Sequence, residues 1–316
     1  MDTLLFLVGA AAIAVVGFAS QRGGICTVHA IHDLVFRRRA GRLASMIEAS
    51  IWVGGGLVLL DSAGWLFHVP LGHRAGLATL AGGVLLGIGA FVNGACAFGT
   101  IGRIGAGHWA FLAMPVGFLL GAFAVANLFV PVRLVEKSVV LAAASWLMVV
   151  CMPLMAARVI QHGIAVRRSR LPLGRIWSPH FATTVMGVAF LLAFVTLGSW
   201  AYTDTLVGIA RGHASGLVRH LSLACALLAG AIVGGWSGGT FRHTPPRLAV
   251  VLRSLAGGCL MGVGASMIPG GSDSLVLVGM PLLWPYAWLG FGSMCATIYV
   301  ACRVATRDAV ARSGAG

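Results

Sequence analysis

Long apolar runs separated by short loops rich in arginine and glycine dominate the chain. A helix needs about 20 apolar residues to cross the hydrocarbon core of a bilayer. Read at that length, the pattern predicts about nine crossings, at 4–20, 43–61, 76–105, 109–130, 139–157, 180–198, 216–235, 248–285 and 286–304. The runs 76–105 and 248–285 are too long and too glycine-rich for one plain helix, so each is expected to break in its middle. The stretch 21–36, after the first crossing, is neither a clean helix nor a polar loop. The predicted class is an all-α integral membrane protein with broken or re-entrant short helices at its centre.

A repeat organises these runs. Gly82-Gly83-Val84-Leu85-Leu86-Gly87-Ile88-Gly89-Ala90 recurs as Gly257-Gly258-Cys259-Leu260-Met261-Gly262-Val263-Gly264-Ala265, with every glycine shifted by 175 positions. Each copy runs into a helix-breaking turn, Asn93-Gly94-Ala95-Cys96 in one and Pro269-Gly270-Gly271-Ser272-Asp273 in the other. Close packing favours small residues in any membrane helix, but a match in register over nine positions points to duplication. The halves are placed at about 1–138 and 180–305, joined by 139–179, as a single membrane domain. In the predicted topology the copies cross in opposite directions, the inverted repeat on which many transporters are built.

Composition supports this reading. Charged residues are 9% of the chain and apolar ones 59%, with a mean hydropathy of +0.94; soluble domains carry about 25% charged residues. The net charge of +14 raises nucleic acid as a partner. The basic residues, however, cluster between apolar runs and form no stripe interleaved with aromatics, so nucleic acid is set aside. With the N-terminus outside, the inner loops 37–42, 158–179 and 236–247 and the tail from Arg303 carry fourteen basic residues. The outer positions Arg74, Arg133, Lys137, Arg211 and Arg219 are five, so the positive-inside rule places the C-terminus in the cytoplasm. No basic region precedes the first apolar run, so a cleavable leader is not expected.

Of seven cysteines, most lie inside apolar runs, which argues against a disulfide framework. The ordinary role of a membrane cysteine is that of a small apolar filler, and Cys151, Cys225, Cys259 and Cys302 are read that way. Cys26 and Cys96 stand at irregular segments beside glycines and near Arg22 and Arg103, and Cys295 lies in the last crossing, within Gly290-Phe291-Gly292-Ser293-Met294-Cys295. An arginine in a broken membrane segment costs at least about 2.5 kcal/mol on insertion scales, so it is paired or functional. Irregular backbone at that depth also aims half-helix N-termini, with their partial positive charge, inward, which favours an anion. Candidate pathway residues are therefore Cys26, Cys96, Cys295, Arg22, Arg103, Gly24, Gly94, Gly270, Gly271 and Ser272. Asp273 either caps its own half-helix or handles protons or repels a wrong anion. Cys26, His29 and Asp33 would share a helix face suited to zinc or copper. No second cluster of that spacing follows, and the next arginines repel a cation. No metal, cofactor or catalytic motif is expected.

At these motifs the chain resembles the YeeE/YedE family of bacterial inner-membrane sulfur transporters. Gly17-x4-Arg22-x3-Cys26 carries the likeness, with Gly87-x-Gly89 through Asn93-Gly94-x-Cys96 to Arg103-x-Gly105-x-Gly107, and Gly262-x-Gly264 through Pro269-Gly270-Gly271. The resemblance implies pseudo-symmetric halves, short re-entrant helices pinching an hourglass-shaped centre, and thiosulfate handed along cysteine thiols at Cys26, Cys96 and Cys295. It also implies a small cytoplasmic sulfur carrier of the TusA type as a partner, beside the lipid bilayer. Where many relatives carry a Gly-Gly-Cys turn, this chain has Gly270-Gly271-Ser272-Asp273. The expected function is thiosulfate uptake. The rivals are another sulfur or selenium oxyanion such as sulfite or selenite, a membrane thiol oxidoreductase using Cys26 and Cys96, and a structural partner in a larger complex.

Overall fold

The computed structural model describes residues 3–66, 71–129, 133–134, 138–169, 177–212 and 216–313. Lys137, Arg170 and Arg175, counted above in the loops, lie outside them. The chain opens with α1 (Thr3–Gly23), α2 (Thr27–Arg37) and α3 (Gly41–Ser62). Next come α4 (Leu77–Asn93), α5 (Ala97–Gly105), a 3-10 turn (Trp109–Leu112) and α6 (Ala113–Ala124). A two-residue pairing of β1 (Gly72–His73) with β2 (Arg133–Leu134) ties the loops on either side of this group. The linker follows as α7 (Val139–Ala142) and α8 (Ala144–Ser169). The second series is α9 (Pro179–Leu197), α10 (Tyr202–Ala210), α11 (Leu217–Ser237), α12 (Leu248–Met267), α13 (Ser272–Ser274) with a π turn (Leu275–Gly279), and α14 (Pro285–Ser313).

Both long runs break where glycine and proline predict: α4 ends at Asn93 before α5, and α12 ends at Met267 before α13. The stretch after the first crossing resolves as a third break, at Gly24-Ile25-Cys26 between α1 and α2. Among the described residues seven helices are long and apolar enough to cross a membrane. The expected crossing at 109–130 is helical only over Trp109–Ala124, shorter than a full span, and the one at 139–157 falls in α7 and α8 and is not among the seven. The chain is a multi-pass, all-α membrane protein. Large apolar side chains such as Leu4, Phe123, Val218 and Trp236 are left exposed, as a lipid-facing belt requires.

The repeated glycines let backbones touch. A Cβ at Gly82 would stand 2.7 Å from the Gly264 carbonyl, and one at Gly89 would stand 2.6 Å from the Gly257 carbonyl. Gly82 therefore faces the counterpart of Gly89, so the two copies of the motif cross antiparallel and reciprocally. The 175-residue shift extends further: α2 begins at Thr27 and α10 at Tyr202, and α5 begins at Ala97 and α13 at Ser272. One ion pair braces the linker. Glu48 of α3 accepts from Arg158 of α8 at 2.9 and 3.0 Å and contacts His180 Nδ1 of α9 at 2.5 Å.

Candidate functional site: two half-helix breaks

The first break brings two sequence-distant cysteines together. Cys26 caps α2 and Cys96 caps α5, each with extended backbone. Their sulfurs lie 3.8 Å apart, and the two residues are 1% and 0% exposed. Both are free thiols. The Thr27 amide at the start of α2 donates to Cys96 Sγ at 3.3 Å, so a soft, neutral acceptor fills part of that N-terminus. Gly99 makes the approach possible, because a Cβ there would fall on Cys26 Sγ. Asn93 sets the turn by donating to the Ala95 carbonyl at 2.8 Å and to Thr100 Oγ1 at 2.9 Å.

The two arginines part company. Arg103, on α5, meets His29 Nε2 of α2 at 3.2 Å and lies over the Phe111 ring at 5.6 Å. It therefore joins the same two half-helices as the thiols. Burial and the neighbouring Arg103 guanidinium hold the His108 imidazole below its ordinary range. Arg22 is buried, lies over the Phe18 ring at 5.1 Å and donates to Ser237 Oγ of α11 at 2.9 Å. It braces the α1–α11 contact. The cation-face reading of Cys26, His29 and Asp33 dissolves, since His29 engages Arg103 while Asp33 pairs with Arg37 and Arg42. Cys295 sits half-buried on α14; no hydrogen bond among the described residues joins it to either thiol.

The second break has the same skeleton and different chemistry. Asp273, 3% exposed, accepts from the Thr203 amide of α10 at 3.1 Å and from the Thr203 hydroxyl. It reaches across to cap a neighbouring half-helix. The Gly271 amide donates to Thr203 Oγ1 at 3.0 Å, and Ser274 Oγ donates to Asp204 at 2.8 Å. Gly270 has φ +106°, and a Cβ there would stand 2.5 Å from Ser274 Oγ and 2.7 Å from Asp204 Oδ1. Only glycine satisfies both demands. Gly24 and Gly94 also take positive φ, and Ser272 is buried at the start of α13. Asp204 faces a cavity of about 160 Å³ lined also by Ser199, Trp200, Thr205 and His220.

Sequence reasoning passed over Thr27, Thr203 and Asp204, and gave His29 and Asn93 no part in the pathway. Applying the 175-residue shift to α2 would have pointed to Thr203 and Asp204, because Val28 and His29 are their counterparts.

The chain is 23% identical over 325 residues to the thiosulfate transporter TsuA of Escherichia coli strain K12, covering 91% of each chain. The family described as sulphur transport matches residues 22–300, from Arg22 at the first break to Val300 in α14, and the chain belongs to that family.

Proposed function

We propose that this protein carries thiosulfate into the cytoplasm across a bacterial inner membrane, with its N-terminus outside and its C-terminus inside. The observation that carries the reading is the meeting of two half-helix N-termini on a pair of buried thiols 3.8 Å apart. Half-helix N-termini offset the desolvation of an anion, and S–H groups suit the polarisable terminal sulfur of thiosulfate. The relative's printed substrate supports the same choice over sulfite or selenite. The antiparallel glycine motifs and the matched starts of α2 with α10 and α5 with α13 support two inverted halves, about 1–138 and 180–305, joined by 139–179.

On this reading Cys26 and Cys96 contact the substrate, Cys295 follows along α14, and Arg103 with His29 holds the two half-helices in register. Weak sequential contacts favour conduction over a single tight site. On the same reading the sealed thiols mark a closed passage that opens by movement of the short helices. A TusA-like carrier receives the sulfur compound on the cytoplasmic side, where the arginine-rich loops lie. Growth on thiosulfate as sole sulfur source, in a strain without its own uptake systems, tests the substrate. Growth restored by the intact gene and not by a Cys96→Ala gene supports the reading. Equal restoration by both contradicts the role given to the thiol pair, and restoration by neither contradicts the substrate.

A further inference from the structure

The thiol pair has a geometry that transport alone does not demand. A disulfide brings its sulfurs to about 2.0 Å, so from 3.8 Å each sulfur has to move by about an ångström. Both cysteines hold cap positions outside the regular helix, and Gly99, where a Cβ would fall on Cys26 Sγ, offers no side chain in the way. Because both thiols are sealed from solvent, the oxidants that reach them are those the passage itself admits. A polythionate qualifies by chemistry: it ends in the same sulfonate as thiosulfate and carries an S–S bond open to thiol exchange.

We propose that Cys26 and Cys96 form a redox gate, closed by polythionates, the oxidised S–S-linked relatives of the substrate; the inference rests on the thiosulfate reading above. With tetrathionate, one cysteine sulfur attacks a central sulfur. This forms a cysteine–S–S–sulfonate adduct, breaks the central S–S bond and releases one thiosulfate. The second cysteine then attacks the sulfur of the first, forms the Cys26–Cys96 disulfide and expels a second thiosulfate. Two thiols are oxidised, one tetrathionate is reduced to two thiosulfates, and two protons leave. The bond removes both S–H donors and ties the start of α2 to the start of α5, so the half-helices cannot part. A dithiol or phosphine reductant reopens the pair.

The test uses the full chain in liposomes, as the unsubstituted protein and with Cys151, Cys225, Cys259 and Cys302 changed to alanine. Each is mapped by mass spectrometry and assayed for thiosulfate uptake before tetrathionate, after it, and after a phosphine reductant. The expected result is a Cys26–Cys96 disulfide in both proteins, uptake reduced about tenfold or more, and recovery on reduction. The unsubstituted protein keeps the test valid if the four substitutions disturb folding. Both thiols still free, a stable single adduct, a bond to Cys295 instead, or a Cys26–Cys96 disulfide with uptake unchanged would each overturn the gate. Failure of the reduced protein to take up thiosulfate overturns the transport reading instead, and the mass map then still decides the thiol chemistry.

Discussion

The two breaks share a skeleton and differ in charge. At the first, a thiol receives the Thr27 amide of α2, and Arg103 of α5 bridges to His29 of α2. At the second, the carboxylate of Asp273 receives the Thr203 amide of α10, with Asp204 one residue further on. The same role, capping a half-helix from across the break, is played by a neutral sulfur in one place and by an acid in the other. A helix N-terminus already met by a carboxylate has little to offer a second anion. On the proposed reading, two similar scaffolds stand at the breaks, and residue type decides which of them receives the substrate.

The sharpest way to break this comparison is to remove the thiols. Cys96→Ala is expected to lower thiosulfate uptake about tenfold or more, equivalent to ~1.4 kcal/mol of barrier, with Cys26→Ala close behind. Losing so small a side chain should leave the elution profile in detergent unchanged. Normal uptake by both variants would reduce the first break to packing. Gly99→Ala comes next: its Cβ has to displace Cys26 Sγ, so uptake should fall severalfold although both cysteines are retained. Wild-type uptake in that variant would show that the close approach is incidental.

At the second break the expected loss is of stability. Asp273→Asn gives up one of the two oxygens that receive the Thr203 amide and hydroxyl, a hydrogen bond worth about 0.5–1.5 kcal/mol. A lowered midpoint in thermal unfolding of the detergent-solubilised protein checks it, and an unchanged midpoint would remove the capping role. The smallest effects belong to Cys151→Ala and Cys225→Ala, which lie outside both breaks and should transport at the wild-type rate in the same assay.

Much of this arrangement was legible in the chain. Glycine and proline at 93–96 and 269–271 mark the interruptions because they disfavour helical continuity, and the shifted glycines announce the reciprocal crossing of α4 on α12. The pairing of Cys26 with Cys96 was not legible from spacing, since 70 residues separate them and only the meeting of the α2 and α5 N-termini brings them together. Arg22 and Arg103 look alike in sequence, yet one turns to Ser237 and the other to His29. Side-chain direction, set by which neighbour each helix meets, decides between them. Asp273 carries a capping signal that local reasoning assigns to its own helix; the cross-break contact with α10 is a tertiary fact. The expected span at 109–130 shortens to Ala124 because helix there gives way to turns before the loop that carries β2.

The central claim is that the sulfurs at the first break read the terminal sulfur of the substrate. Its most direct test is the ratio of thiosulfate to sulfate uptake by the purified protein in liposomes, measured for wild type, Cys96→Ser and Cys96→Ala. Sulfate has the same charge and lacks the terminal sulfur. A hydroxyl still contacts the sulfonate oxygens but serves that sulfur less well. The account predicts a high ratio in wild type, a lower ratio with residual thiosulfate flux in Cys96→Ser, and the least flux in Cys96→Ala. A ratio that stays the same in Cys96→Ser as in wild type would contradict it.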